Sequence, residues 1–226
     1  MKTLLHSSTL AIAIVTALLA AVPSFTAMAA TPPAATAAQG AASRMVQGSA
    51  GRVLATLDSR RAEFKANPAA LNQFIKTKFT RSFDSDYAAR LVLGVHGRGA
   101  APADVADFSA AMADNLTARY GTALLEFNTR LQVKVTSETP LPGNRGVRVS
   151  TQMLRQGGAP ILVDYLLRNV NGQWKLFDVM VEGISYVQAF KTQFAAPLAQ
   201  TSIRQVAADL RAGRMQASTA PGKKSK

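Results

Sequence analysis

Cysteine is absent from the 226-residue sequence. This absence excludes disulfides, zinc–thiolate sites and a thiol nucleophile, and removes the residue that a lipoprotein anchor requires. Histidine is nearly absent as well, because His6 and His96 are the two in the chain. A Ser-His-Asp triad would have to use one of them, and the sequence has no G-x-S-x-G motif.

Metal sites usually recruit several His, Cys or clustered acidic side chains. The 13 acidic residues of this chain are scattered rather than clustered. We therefore expect no metal ion and no cofactor. His96 is interpreted as a solvent-facing residue of a flexible loop at residues 94–99, which also holds Arg98.

The first 29 residues have the pattern of a secretory signal peptide. Lys2 supplies the positive start, residues 10–22 are apolar, and Ala27-Met28-Ala29 is an A-x-A cleavage site. A membrane anchor is the alternative, but the apolar run is shorter than the ~20 residues of a spanning helix. We predict cleavage after Ala29 and a soluble exported protein.

Acidic residues are half as frequent as basic ones, 13 against 26, so the net charge is +13. In a cytosolic protein this charge would suggest a nucleic-acid partner. Export removes that interpretation, and we expect no nucleic acid. The partners that would then complement the positive charge are anionic lipid headgroups or acidic protein surfaces. The alternative is that the charge serves solubility alone.

The first half of the chain is predicted to be helical. Residues 30–42, rich in Ala, Pro and Thr, are interpreted as a disordered lead-in. Residues 43–128 follow with helical spacing of apolar side chains. The predicted helices are 43–66, one from Pro68 with Asn67 as its cap, 86–93 capped by Asp84 or Ser85 and ended by Gly94, and 102–127.

Residues 130–182 change to an alternating pattern that predicts strands. The segments are 131–135, 147–153, 161–170 and 173–182, with short turns between them. They predict a four-stranded antiparallel meander. Asn171-Gly172 predicts a two-residue hairpin turn, which would place Asp178 opposite Tyr165.

In that register both faces of the last hairpin are apolar. One face would hold Leu162, Leu166, Phe177, Val179 and Val181, and the other Ile161, Val163, Tyr165, Leu167, Trp174, Leu176 and Met180. A sheet with one face in water alternates more cleanly. We therefore expect helices to cover one face and other apolar material to cover the second.

Helices are predicted again over residues 185–212, with Ser185 and Gln188 as a capping box and a break near Pro197. A last helix starts at Thr201 or Ser202, and residues 213–226 are interpreted as a loose basic tail. Residues 43–212 are thus predicted to form one domain. Helices first and strands second indicate an α+β fold.

Several motifs in this order resemble the MlaC family, the periplasmic phospholipid-binding proteins of the toluene-tolerance transport system. They are Asn67-Pro68, Ala89-Arg90-Leu91-Val92-Leu93-Gly94, Ala101-Pro102, Phe108, Tyr120, Val163-Asp164-Tyr165, Gly172-Gln173-Trp174-Lys175, Phe177-Asp178-Val179, Val181-Glu182-Gly183-Ile184-Ser185 and Gln193-Phe194. The resemblance implies a curved sheet like the nuclear-transport-factor cone, with lipid chains in an apolar cavity between sheet and helices.

The resemblance also implies a function without catalysis: a monomeric periplasmic carrier that moves phospholipid between the outer and inner membranes and maintains outer-membrane lipid asymmetry. The implied partners are phospholipid, an outer-membrane lipoprotein–porin complex and an inner-membrane ABC transporter with a lipid-binding ring. One departure from the family is Lys191, where its usual Tyr-Arg-Ser-Gln-Phe run has arginine.

Apolar residues are the candidates for contact with acyl chains. They are Leu91, Leu93, Phe108, Met112, Tyr120, Leu124, Val133, Val149, Met153, Val163, Tyr165, Leu167, Trp174, Phe177, Val179, Val181, Ile184, Phe190 and Phe194. The headgroup candidates are Arg98, Lys191 and Ser185, the last at a helix N-terminus that could bind phosphate. Plain core packing is the alternative for each apolar position.

Two other functions stay open at this point. Asp178 interrupts an apolar strand, and with Tyr165 opposite it could act as a general base in an enzyme. The alternative for Asp178 is a structural hydrogen bond to Tyr165 or to the backbone. A secreted interaction module with a completely filled core is the third hypothesis.

Overall fold

The computed structural model describes residues 40–120, 125, 131–155 and 158–218, apart from the side chains of Phe79, Arg119 and Tyr120. The helices are α1 (Ala41–Ser59), α2 (Arg61–Ala66), α3 (Pro68–Ser82), α4 (Ser85–Leu93), α5 (Pro102–Tyr120), α6 (Tyr186–Gln200) and α7 (Ile203–Arg211). The strands are β1 (Gln132–Pro140), β2 (Val147–Leu154), β3 (Ile161–Val170), β4 (Gln173–Val181) and β5 (Ile184–Ser185). The predicted signal peptide, residues 30–39 of the lead-in and residues 219–226 of the tail lie outside the described residues.

The strands form one open antiparallel sheet in the order β1-β2-β3-β4-β5. The α+β fold class is thereby confirmed, although the sheet has five strands rather than four. The added strand is short: Ile184 and Ser185 pair with Val181 and Met180 at the point where we predicted only a helix start. In the described part of the chain, no helix combines the length and hydrophobicity needed to span a bilayer.

Local capping signals place the starts of four helices and the end of one where the sequence predicted. The Asp84 side chain accepts a hydrogen bond from the Tyr87 backbone N–H at the start of α4, and Gly94 ends that helix at φ 55°. Ser185 and Ser202 cap α6 and α7 in the same way. Asn67 accepts a hydrogen bond from the Ala70 N–H at the start of α3. Each of these signals acts within a few residues of the helix end.

Three predicted boundaries are wrong. Helix α1 begins at Ala41, inside the predicted lead-in, and the backbone leaves the helical region at Arg60 (φ −104°, ψ 16°), which divides the predicted 43–66 helix. Helix α6 continues through Pro197. One face of α6 buries Phe190, Phe194 and Leu198, and this burial offsets the hydrogen bond that proline cannot donate.

The start of the predicted loose tail is instead held against the helices. The Asn115 side chain donates hydrogen bonds to the carbonyl oxygens of Leu210 (2.8 Å) and Met215 (3.2 Å) and accepts one from the Ala217 N–H (3.0 Å). Ala217 is fully buried. Residues 213–218 therefore belong to the folded domain, because polar groups 100 positions apart pair only after α5 and α7 have packed.

The Asn171-Gly172 turn forms as predicted, with φ values of 52° and 81° and Val170 paired with Gln173. The predicted register beyond it is wrong. A bulge separates the Leu166–Asp178 pair from the Leu167–Leu176 pair, so Phe177 is the extra residue. From that point Tyr165 pairs with Val179 rather than with Asp178. A bulge of one residue moves every following side chain to the other face.

Three clusters of buried apolar side chains stabilise the domain. The largest joins α4, α5, α6 and α7 and includes Phe108 and Phe194, whose rings meet edge to face at 5.6 Å. A second joins α1 to the sheet. The third joins α1, α2 and α3 with Leu125. Of these three, the cluster between α1 and the sheet contains four of the strand positions predicted to contact lipid: Val149, Tyr165, Leu167 and Trp174.

Candidate functional site

One face of the sheet packs against α1 and is almost entirely apolar; we call it the α1 face. Directly paired residues on neighbouring strands share a face, so the register divides it into four rows. Row one is Pro140, Val147, Leu167 and Leu176; row two is Glu138, Val149, Tyr165 and Val179; row three is Val135, Thr151, Val163 and Val181; row four is Val133, Met153 and Ile161. Val179 and Val181 therefore join Val163 and Tyr165, and Met180 moves to the opposite face, contrary to our predicted face assignment.

Row one is closed by α1. Ala42 and Val46 of α1 are buried together with Val149 and Leu167, and Leu167 is 0% exposed. Trp174 and Leu176 pack against the same cluster. The Glu138 carboxylate on β1 accepts a hydrogen bond from the Ser43 N–H at 2.8 Å, which holds the start of α1 on the sheet. This end of the face is solid protein.

The end of the face farthest from row one has a different character. Val133, Met153, Ile161, Val179 and Val181 are all partly exposed, and none belongs to the three buried clusters. We call these five side chains the distal end of the α1 face. Ile184, paired with Val181, extends it and is 47% exposed. Five neighbouring strand positions thus present apolar surface that the described core does not fill.

Polar groups on the α1 face are few. The Thr151 hydroxyl donates a hydrogen bond to the Val163 carbonyl oxygen at 2.8 Å and is thereby occupied. Burial raises the pKa of the Tyr165 hydroxyl, which makes no hydrogen bond with the described residues. None of the row residues is basic. The Glu138 carboxylate in row two accepts the Ser43 N–H, so the face offers one hydroxyl donor, Tyr165, amid hydrocarbon.

Asp178 lies on the opposite face and closes the N-terminus of α6. Its carboxylate accepts hydrogen bonds from the Ser185 hydroxyl at 2.6 Å and from the Val187 N–H at 3.1 Å. Burial raises the pKa of the Asp178 carboxyl, and those two hydrogen bonds oppose the rise. The predicted structural bond to the backbone is confirmed, whereas the predicted partner Tyr165 is wrong.

The same contacts correct the phosphate-binding prediction for Ser185. Its hydroxyl donates a hydrogen bond to Asp178 and accepts one from the Gln188 N–H at 3.0 Å, so it is already engaged both as a donor and as an acceptor. A carboxylate already occupies the position that an anion would take at this helix N-terminus. Arg98 and Lys191 are both exposed, and neither forms an ion pair with a described residue.

The helical lipid candidates lie in the cluster between α4, α5, α6 and α7 rather than on the α1 face. They are Leu91, Leu93, Phe108, Met112, Phe190 and Phe194. All but the partly buried Leu91 are buried against one another and their neighbours in that cluster. Phe177 contacts Tyr87 edge to face at 5.2 Å on the opposite side of the sheet. The Tyr120 side chain and Leu124 lie outside the described residues.

Val135 and Ile161 also lie on the α1 face, although neither is among the predicted lipid contacts. Both alternate in step with named candidates, Val135 with Val133 and Ile161 with Val163, so period-two spacing could have identified them. The described residues contain no group of three or more His, Asp or Glu side chains that could hold a metal ion.

The protein family described as MlaC protein matches residues 47–212. The chain belongs to the MlaC family. The family match begins within α1 and ends after α7, so it includes every row of the α1 face.

Individual members of the MlaC family are similar over about two thirds of the chain. The toluene tolerance protein ttg2D of Pseudomonas putida is 31% identical over 154 residues, covering 67% of this chain and 70% of that protein. The intermembrane phospholipid transport system binding protein MlaC of Haemophilus influenzae is 22% identical over 147 residues, covering 64% and 68%.

A solved structure has the same fold as this MlaC-family chain. It is a phospholipid-binding protein from Ralstonia solanacearum in complex with a phospholipid, with a TM-score of 0.67 and 19% sequence identity. The superposition covers 76% of this chain and 97% of that one.

Proposed function

We propose that this protein is a soluble periplasmic carrier that binds the acyl chains of a phospholipid at the distal end of the α1 face. It moves phospholipid between the outer and inner membranes and so maintains the lipid asymmetry of the outer membrane. Two relatives support this proposal by name, one as a phospholipid transport binding protein and one as a toluene tolerance protein. A protein of the same fold is known in complex with a phospholipid.

The observation that carries the proposal is the surplus of apolar surface at the distal end of the α1 face. Side chains of a core normally pack against one another until few voids remain. Val133, Met153, Ile161, Val179 and Val181 are instead partly exposed neighbours outside the buried clusters. Acyl chains are a ligand that matches such a surface, because they need hydrocarbon contact and few polar partners.

The energy scale of lipid transfer fits a site of this kind. Each methylene group exposed to water costs about 0.8 kcal/mol, so an acyl chain of ~15 methylenes would cost about 12 kcal/mol. A carrier has to provide an apolar environment similar to that of a bilayer. A site that bound lipid much more tightly than a bilayer could not release it.

The proposal includes no catalytic reaction. The general-base hypothesis requires Asp178 beside Tyr165, but the bulge puts these side chains on opposite faces of the sheet. Asp178 is already occupied by Ser185 and Val187. A base held in this way is not positioned to accept a proton from a ligand on the α1 face.

The proposed partners are the two membrane assemblies between which the carrier travels. They are an outer-membrane lipoprotein–porin complex and an inner-membrane ABC transporter with a lipid-binding ring. The net charge of +13 is suited to acidic surfaces on these partners or to anionic lipid headgroups. We propose that the carrier meets them as a monomer and binds no nucleic acid.

Mass spectrometry of an organic extract of the natively purified protein tests the proposal. We expect phospholipid in near-stoichiometric amount, and none in an extract of the final wash buffer. A protein that is folded and lipid-free, even after incubation with phospholipid vesicles, would contradict the carrier and favour the interaction module with a filled core.

A further inference from the structure

The Tyr165 hydroxyl is a hydrogen-bond donor on an apolar surface. Its ring packs in the cluster of α1 and the sheet, and its neighbours across the strands are Val149 and Val179. No described residue hydrogen-bonds the hydroxyl. Tyr165 is half-buried and its hydroxyl is not among the buried side-chain atoms that lack a partner, so solvent still reaches it. A ligand that covers this surface would displace that water, and an acceptor on the ligand would compensate for the lost hydrogen bond.

The surroundings of Tyr165 limit the chemistry of that partner. Burial raises the pKa of Tyr165, so the hydroxyl stays protonated and acts as a donor. The ligand atom is therefore an acceptor. No row residue of the α1 face is basic, and the nearest row hydroxyl, on Thr151, is bonded to Val163.

A phosphate oxygen does not suit this position. A buried anion needs a cation or several donors, and this face provides neither. A neutral acceptor beside hydrocarbon does suit it. In a glycerophospholipid, the ester carbonyl oxygens are neutral acceptors attached directly to the acyl chains.

On the basis of the proposed lipid carriage, we propose that the Tyr165 hydroxyl donates a hydrogen bond to an acyl ester carbonyl of the bound phospholipid. The site thereby distinguishes diacyl ester lipids from dialkyl ether lipids with the same chains and headgroup. Val149 and Val179 flank the ring and hold the donor in the second row, next to the distal end.

Binding of matched lipids to wild-type protein and Tyr165→Phe tests this role. Delipidated protein is equilibrated with dioleoyl phosphatidylcholine and with its dioleyl ether analogue, and the bound amounts are measured by mass spectrometry. We expect the wild type to prefer the ester about fivefold, the effect of one hydrogen bond, and Tyr165→Phe to bind both lipids equally.

Tyr87→Phe is the matched control. Tyr87 lies on the opposite side of the sheet, with its ring against Phe177 at 5.2 Å and Arg168 4.2 Å from its centroid. Loss of its hydroxyl should leave the ester preference at the wild-type value. Empty Tyr165→Phe should melt close to the wild-type temperature, because the hydroxyl that it lacks bonds no described residue.

The outcomes separate the two proposals. If wild type and Tyr165→Phe bind lipid with the same ester-to-ether ratio, the role of Tyr165 is overturned and the carrier proposal stands. A markedly lower melting temperature of empty Tyr165→Phe would also overturn it, since the hydroxyl would then have a protein partner. If neither protein binds either lipid, the carrier proposal fails and this role fails with it.

Discussion

The Asp178 carboxylate accepts a hydrogen bond from the Val187 N–H at 3.1 Å, nine residues along the chain. Its second oxygen accepts from the Ser185 hydroxyl at 2.6 Å. One side chain of β4 thus joins the sheet to the first turn of α6. This junction explains the lone acid of an apolar strand.

Removal of the junction should destabilise the fold. Asp178→Ala leaves the Ser185 O–H and the Val187 N–H without acceptors, and we expect unfolding to require about 1.5–3 kcal/mol less free energy. Urea denaturation provides the measurement. Asp178→Asn is the control. Its amide oxygen is still an acceptor, so this variant should lose less stability than Asp178→Ala. Equal stability of wild type and Asp178→Ala would contradict the junction.

The ionisation of Asp178 should also affect the pH dependence of stability. Because the folded state raises its pKa, folded protein binds this proton more tightly than the unfolded chain does. Protonated Asp178 therefore adds to the stability of the fold below the ordinary Asp pKa of about 4. This added stability is lost as the pH rises through the pKa of Asp178 in the folded protein.

The comparison with Asp178→Asn isolates that contribution from those of other carboxylates. The wild-type stability minus the variant stability should decrease as the pH is raised from about 4 toward neutrality. Thermal melts in a series of buffers measure the difference. A difference that grows with rising pH would mean that the folded state lowers this pKa instead.

Glutamate substitutions should distinguish the closed and distal parts of the α1 face. The register places Val163, Leu167, Val179 and Val181 on one face, so the row of a residue decides its behaviour. Leu167→Glu buries an unpaired charge in row one and should unfold the protein. Val181→Glu should stay folded and carry no lipid, because its carboxylate meets water when the site is empty and hydrocarbon when it is occupied.

Leu162→Glu is the matched control for these variants. Leu162 is on the neighbouring position of β3 but on the opposite face, and it is 51% exposed. This variant should fold and retain lipid. Thermal melts combined with lipid extraction make the comparison. Lipid retained by folded Val181→Glu would remove the distal end from the proposed site.

Glu138 should stabilise the attachment of α1 to the sheet. Its carboxylate accepts the Ser43 N–H, and helix α1 has no cap from its own Gly40. We expect Glu138→Ala to lower the free energy of unfolding by about 1 kcal/mol, as for loss of an N-cap.

Gly40→Ala should break the same hydrogen bond between the Ser43 N–H and Glu138. A Cβ at Gly40 would lie 2.1 Å from the Glu138 Oε1, so the carboxylate would have to move away. The two substitutions should therefore be less than additive in a double-mutant cycle. Full additivity would indicate that Gly40 and Glu138 act independently.

Gly146 should tolerate no side chain. Its φ is 139°, and a Cβ there would lie 1.9 Å from the Leu167 carbonyl oxygen on the neighbouring strand. We expect Gly146→Ala to cost at least about 3 kcal/mol. Gly143→Ala is the control: its φ is 69°, but its nearest neighbour is the Arg145 Cγ at 4.0 Å. Similar melting temperatures for the two variants would contradict the steric argument.

The sequence alone determined the starts of four helices, the end of α4 and the hairpin turn. Asn67, Asp84, Ser185 and Ser202 were all identified as caps or alternatives, and Asn171-Gly172 forms the predicted turn. These features depend on groups within a few residues of one another. The apolar alternation of the strands likewise predicted most of the α1 face, because the two sides of a strand follow directly from the pleat.

Tertiary structure decided the register, the separation of Asp178 from Tyr165 and the division of the α1 face into closed and distal parts. The bulge at Phe177 accompanies two long-range contacts, the ring of Phe177 against Tyr87 and the carboxylate of Asp178 at the start of α6. The start of α1 and residues 213–218 are held by Glu138 and Asn115, both about 100 positions away. No local pattern encodes such contacts, because their energy is gained only when distant segments have packed together.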